Sequence, residues 1–158
     1  MTVFRIERLK YLETTLLGIG ASLSEGFRWN SLHSRMVYTA ESRSLATLEV
    51  AVHLDISEDL PSDRIYVEIE IPDHLVVQEL QPAYLPADWD AIPPGNATKR
   101  IGDEFLTRME TAVLKVPSSI VPGEFNYLLN PLHPDFPGIV VARSYPMHFD
   151  RRLLKIRT

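Results

Sequence analysis

The chain has 158 residues, 45% of them hydrophobic and 23% charged, which suits one folded domain that buries about two-thirds of the surface its unfolded form exposes. There is no cysteine, so disulfides and thiolate chemistry are excluded. The net charge of −5 argues against the concentrated basic surface that general binding to a nucleic-acid backbone requires.

From the N-terminus, Val3 to Leu9 alternates apolar and charged residues and predicts a strand. The same charges interrupt any apolar h-region, so this is no secretory signal. Nowhere does an apolar run approach the roughly 20 residues of a membrane span, and the expectation is a soluble, cytoplasmic protein. Gly18 to Gly26 is Gly- and Ser-rich and reads as a loop, followed by a short strand over Arg35 to Thr39. Ser42 to Leu54 is the strongest helix, with Ser42 or Ser44 as its cap and Leu45, Leu48 and Val52 at helical spacing. Arg64 to Ile71 is the clearest strand: Ile65, Val67, Ile69 and Ile71 alternate with Arg64, Tyr66, Glu68 and Glu70.

Thr98 to Met109 predicts a second helix. Ala112 to Val116 and Ile139 to Arg143 are apolar enough for inner strands, and Met147 to Phe149 for a further short one. The basic cluster Arg151-Arg152-Leu153-Leu154-Lys155-Ile156-Arg157 alternates with apolar residues as a terminal strand would, so no direct nucleic-acid binding is expected. No repeat, low-complexity segment or linker divides the chain, which reads as a single domain over residues 1–158. Strands outnumber helices and are not regularly interleaved with them, which indicates an α+β fold.

One residue of the first helix stands out. With Leu45 at zero and each residue advancing about 100°, Leu48 falls near 300°, Val52 near 340° and Glu49 near 40°. Glu49 therefore lies within the apolar stripe, where a carboxylate is costly unless paired or hydrogen-bonded. Two readings stand: a structural Glu satisfied by an Arg or by backbone amides, and a catalytic carboxylate facing a cleft. His53, one turn later, reads as a helix-terminal residue complementing the dipole. Dinucleotide, P-loop, zinc-protease and nucleophile-elbow motifs are absent from the sequence. The five histidines (33, 53, 74, 133 and 148) show no metal-ligand spacing, and no metal is expected. Ser118-Ser119 has no His and Asp arranged near it in sequence for a triad, so a turn or phosphate-contact role suits it better.

A longer pattern carries a family resemblance. Glu25-Gly26-Phe27-Arg28-Trp29-Asn30, Val37-Tyr38-Thr39-Ala40 and Leu45-Ala46-Thr47-Leu48-Glu49-Val50 come first. Val116-Pro117-Ser118-Ser119-Ile120-Val121-Pro122, Glu124, Asn126-Tyr127-Leu128-Leu129-Asn130-Pro131, His133-Pro134 and Phe149-Asp150-Arg151-Arg152-Leu153 follow. In order and spacing these blocks resemble the signature of RES-domain toxins, from about Phe4 to Leu154. The Arg, Glu and Ser that give the family its name correspond to Arg28, Glu49 and Ser118. Two positions depart: Phe27 stands where the family usually has a second Gly, and His33 near a position that often carries Gly.

The resemblance implies an ADP-ribosyltransferase-like split β core with flanking helices and a cleft for NAD⁺, with Arg28, Tyr38 and Glu49 as catalytic residues. Arg5, Trp29, Asn30, Ser118 and Asn126 are the implied substrate contacts. NAD⁺ is implied as substrate, not cofactor, with inorganic phosphate as a possible co-substrate. The implied partners are an Xre-type helix-turn-helix antitoxin and a second copy of the chain in a homodimer. Cleavage of the nicotinamide–ribose bond passes through an oxocarbenium-like state that a nearby carboxylate stabilises, and a guanidinium fork suits the pyrophosphate. Water, phosphate or a protein side chain as acceptor distinguishes a glycohydrolase, a phosphorylase and an ADP-ribosyltransferase. A non-catalytic module that only binds a DNA-binding partner is the reading from another class.

Overall fold

The computed structural model describes residues 1–54 and 61–154. Strand β1 (Thr2–Arg8) runs through a 3-10 helix (Leu9–Leu17) and the single turn α1 (Ile19–Ser22) to β2 (Val37–Ala40) and helix α2 (Arg43–Ala51). There follow β3 (Arg64–Glu70), β4 (Val77–Glu79), α3 (Asn96–Arg108), β5 (Val113–Pro117), β6 (Phe125–Leu129) and β7 (Val140–Pro146). No described helix is long and apolar enough to cross a membrane.

The strands form one sheet in the order β4-β5-β6-β2-β1-β3-β7. β4 and β5 are parallel, and the other neighbours are antiparallel. β1 pairs with β3 along its whole length, but β1 and β2 meet only where Phe4 faces Ala40. The sheet is thus joined at its centre, between β4-β5-β6-β2 and β1-β3-β7, by a single register pair. Together with the flanking helices, this is the α+β architecture that the sequence predicts.

Side-chain alternation assigns the two faces. On one face Val3, Val37, Val67, Ile69, Val113 and Leu129 form a core covered by Leu12 and Leu16 of the 3-10 helix. The other face carries two cores. Leu114, Val116 and Leu128 pack against Phe105 of α3 and Trp29. Ile6 and Ala40 pack against Leu45 and Ala46 of α2, with Met147 and Phe149. The site described below lies between these two cores.

The predicted alternation of β3 is present, with Ile65, Val67 and Ile69 buried. Ser42 caps α2 by accepting a hydrogen bond from the Leu45 amide, as its position before the apolar run requires. Several expectations need correction. Leu48 and Val52 of α2 are 41% and 56% exposed, while Ala46 is buried. The inward arc therefore runs through Leu45, Glu49, Ala46 and Val50, turned away from the stripe that leucine spacing predicts.

Ile139 to Arg143 is no inner strand, because β7 is a sheet edge with mostly exposed residues. Met147 to Phe149 is not a strand: Met147 and Phe149 plug a core from an irregular segment. Arg151–Leu154 forms a 3-10 turn and not a terminal strand, and residues 155–157 of that expectation lie outside the described residues. The segment 18–26 is a loop except for the turn α1.

Candidate active site

The site is assembled from α2, the turn after β5, strand β6 and the loop before β2. Glu49 is half-buried on α2. Its Oε1 accepts a hydrogen bond of 2.6 Å from Asn126 Nδ2 and one of 3.2 Å from Ser118 Oγ. Among the described residues no donor reaches Oε2. Asn126 presents its amide because it alternates with Leu128, placing it on the same sheet face as α2. Ser118 is buried, and its Oγ also accepts from the amides of Ile120 and Val121. One serine thus closes the turn after β5 and holds the carboxylate. Among the described residues Glu49 is thus half-satisfied, with one oxygen fixed.

Arg28 lies near enough to this carboxylate for the two charges to interact. Its Nη1 donates to the backbone carbonyls of Trp89 (2.5 Å) and Ala91 (3.1 Å). Burial lowers the guanidinium pKa from its ordinary value, and the negative charges of Asp90 and Glu49 oppose that shift. The group remains a cation, with carbonyl oxygens holding one edge of its planar fork. Tyr38 stands beside it on β2. Its hydroxyl donates to Asn30 Oδ1 (2.7 Å) and accepts from the Trp29 amide (3.1 Å). Burial drives the phenol pKa far above its usual value, so Tyr38 stays neutral and acts as a hydrogen-bonding clasp.

The structure joins Glu49, Ser118 and Asn126 by hydrogen bonds and sets Arg28 within electrostatic reach of Glu49 and Tyr38, but it gives three other predicted contacts different surroundings. Trp29 is 3% exposed and stacks on Trp89 with ring centroids 6.5 Å apart. Asn30 is fully buried, its amide donating to the carbonyls of Ala21 and Ser31. Both hold the Arg28 loop from within the core. Arg5 lies on the opposite face of the sheet, with Val3. It pairs with Glu7 at 2.9 Å, and its Nη1 donates to the Tyr38 carbonyl at 3.0 Å. It bridges β1 and β2 beside their single register pair.

The two departures from the family pattern have physical accounts. His33 has φ +70°, a left-handed conformation that glycine adopts without strain and other residues at a cost of about 1–2 kcal/mol. Phe27 packs on the Tyr38 ring with centroids 4.9 Å apart, adding an aromatic wall where a glycine leaves space. His53, read as a helix-terminal residue, is exposed just beyond the end of α2.

Several site residues carried no sequence signal. The carbonyls of Trp89 and Ala91 act through their backbone, which no motif encodes. Gly102 and Asp103 of α3 touch the Arg28 loop, but neither disturbs the helical pattern. A Cβ at position 102 would overlap the Trp29 carbonyl oxygen and stand 2.7 Å from its carbon. Asp103 accepts from both the amide and the hydroxyl of Ser31.

Tyr38→Phe is expected to destabilise the protein by about 2 kcal/mol, because Asn30 Oδ1 and the Trp29 amide lose a buried partner. Urea unfolding checks this. An unchanged midpoint would show that the clasp contributes nothing.

Comparison with known proteins places this geometry in context. The family profile described as "RES domain" matches residues 2–150. A protein of Sphingobium sp. (strain YBL2) named "Prs ADP-ribosylating toxin" is 42% identical over 147 residues, covering 92% of this chain and 90% of that one. A "Toxin Res" of Photorhabdus laumondii is 37% identical over 158 residues, covering 99% of both chains. Another "Toxin Res", of Yersinia enterocolitica, is 40% identical over 154 residues, covering 97% of this chain and 99% of that one. Among solved structures, the M. tuberculosis MbcT–MbcA toxin–antitoxin complex contains a chain that matches with a TM-score of 0.73 at 18% identity. The match covers 92% of this chain and 83% of that one. At that identity it speaks for the fold alone.

Proposed function

Because this chain belongs to the RES domain family, we propose that it is the toxin of a toxin–antitoxin pair and arrests growth by cleaving the nicotinamide–ribose bond of cytoplasmic NAD⁺. The observation that carries the chemistry is the half-satisfied Glu49. Asn126 and Ser118 grip Oε1, and Oε2 is left to serve a substrate.

In this reading the C1′–N bond of NAD⁺ breaks heterolytically. The bonding pair moves to the pyridinium nitrogen, and nicotinamide leaves as a neutral molecule. The positive charge develops on C1′ and the ribose ring oxygen. Glu49 stabilises that charge and accepts a hydrogen bond from a ribose hydroxyl through Oε2. Its charge is in place before the reaction, so little reorganisation is needed. Arg28 offers the outer edge of its guanidinium to the pyrophosphate, while the carbonyls of Trp89 and Ala91 hold the inner edge. The acceptor then attacks C1′ and loses its proton. Phosphate as acceptor yields an ADP-ribose phosphate, and water yields ADP-ribose.

Transfer of ADP-ribose to a protein is the second reading, favoured by the name of the Sphingobium relative. It shares the cleavage step and the same roles for Glu49 and Arg28. The partner in either reading is an Xre-type antitoxin that covers the cleft, and the active chain pairs as a homodimer. The structural neighbour, which shares this fold, is itself found in a toxin–antitoxin complex.

The test is incubation of the purified chain with NAD⁺, with and without inorganic phosphate and with cell-extract protein. Nicotinamide release and the fate of the ribosyl group are followed by chromatography. Release that requires phosphate identifies phosphorolysis, release without it identifies hydrolysis, and label carried into protein identifies transfer. Intact NAD⁺ under every condition would overturn the proposal.

A further inference from the structure

We propose that Asp103, on α3, is a positioning residue for Arg28, fixing the loop that carries the guanidinium without touching the substrate. This rests on the reading of Arg28 as the group that grips NAD⁺. Asp103 Oδ1 accepts from the Ser31 amide at 3.0 Å and Oδ2 from the Ser31 hydroxyl at 2.5 Å. The preceding residue, Gly102, lets the Trp29 carbonyl lie directly against the helix, where any side chain would collide with it. One turn earlier, Lys99 Nζ donates to the Glu25 carbonyl at 2.5 Å.

Three residues within about one turn of α3 thus hold positions 25, 29 and 31, on both sides of Arg28. The described hydrogen bonds of Arg28 itself run elsewhere, to Trp89 and Ala91. From the sheet side the Tyr38 hydroxyl holds the Trp29 amide. The loop backbone is therefore held from both helix and sheet, on either side of Arg28.

Asp103 is the charged member of that clamp and supplies two hydrogen bonds at once, the geometry that best resists rotation of the backbone. Arginine is a long lever, so a small rotation at its backbone displaces the guanidinium by an ångström or more. A misplacement of about 1 Å can cost a factor of about 10².

The experiment compares Asp103→Ala, Asp103→Asn, Arg28→Ala and the double variant Asp103→Ala/Arg28→Ala in the full-length chain. KM and kcat for NAD⁺ consumption are measured, together with amide hydrogen exchange of residues 27–31 and of β5 and β6. Asp103→Ala is expected to raise KM about tenfold with little change in kcat. Exchange at Trp29 should quicken while β5 and β6 keep their protection.

Asp103→Asn is expected to recover most of the loss, because its oxygen still accepts from the Ser31 amide and its NH₂ can donate to the Ser31 hydroxyl. In the Arg28→Ala background, removing Asp103 should add nothing, the signature of two residues acting as one unit. Additive losses in the double variant, or loss of protection across the whole sheet, would overturn the assignment in favour of a merely structural aspartate. Should the wild type leave NAD⁺ intact, the substrate reading falls, and exchange then decides by itself. Unchanged exchange at Trp29 in Asp103→Ala overturns the proposal, and locally quickened exchange upholds the clamp.

Discussion

Glu49→Gln is expected to reduce NAD⁺ cleavage by a factor of about 10²–10³ while leaving a folded protein. The substitution is nearly isosteric. Both hydrogen bonds to Glu49 fall on Oε1, and a glutamine carbonyl oxygen in the same place still accepts from Asn126 and Ser118. The new NH₂ group takes the position of Oε2, on a half-buried residue that is not sealed from solvent. No buried group is orphaned, so the stability cost stays within about 1 kcal/mol. What disappears is the negative charge, which the oxocarbenium-like state needs and the ground state does not. An interaction made only in the transition state appears in kcat, so most of the loss should fall on kcat, with a smaller rise in KM from the ribose hydroxyl whose hydrogen bond Oε2 no longer accepts. Nicotinamide release measured beside a urea unfolding curve checks both halves. A variant that is folded and cleaves at the wild-type rate would remove Glu49 from the chemistry. One that unfolds would return it to a structural role.

The largest stability effect is expected at Gly102. Gly102→Ala introduces a methyl group where α3 touches the Trp29 carbonyl. Relief requires the helix or the Arg28 loop to shift, because the obstacle is backbone and cannot rotate away. The cost expected for such overpacking is about 3 kcal/mol, which lowers Tm by roughly 6–12 °C for a domain of this size. Activity should fall further than stability alone explains, since the displaced segment carries Arg28. Gly20→Ala is the natural control. Position 20 is exposed, and a Cβ there meets nothing within 4 Å. In the helical turn α1 that change should be neutral or slightly stabilising. Differential scanning calorimetry of the pair checks the comparison. Equal Tm values would show that the close approach of α3 to the loop is not needed.

Parts of this fold and site were legible in the chain because they follow from local chemistry. Alternation in β3 reports a strand with one buried face, and a serine before an apolar helical run reports a cap. Glu49 was singled out because a carboxylate in an inward arc is unusual. Glu49 does face inward, although the inward arc runs through Leu45, Ala46 and Val50 and not through Leu48 and Val52. Ala46, too small to mark a stripe by eye, is buried, whereas Leu48 and Val52 face solvent. The edge position of β7 was invisible, since apolar content does not reveal whether a strand has one neighbour or two. β6 was missed because Asn126 interrupts its apolar run, and that interruption is the residue that reaches Glu49.

Composition, periodicity and the order of the motif blocks determined by themselves that this is an α+β chain of one family, with Arg28, Tyr38 and Glu49 as its notable polar residues. Only the tertiary structure decided how those residues are held. Ser118 and Asn126 grip one carboxylate oxygen. Tyr38 clasps a loop with its hydroxyl, and Arg5 works from the opposite face of the sheet. Gly102 and Asp103 support Arg28 from a helix more than seventy residues away in sequence. The physical reason is the range of the forces involved. Helix and strand preferences are set by neighbours within a few residues. A hydrogen bond is made by whichever group the packed chain brings within about 3 Å, and at this site several of those groups are backbone atoms common to every residue.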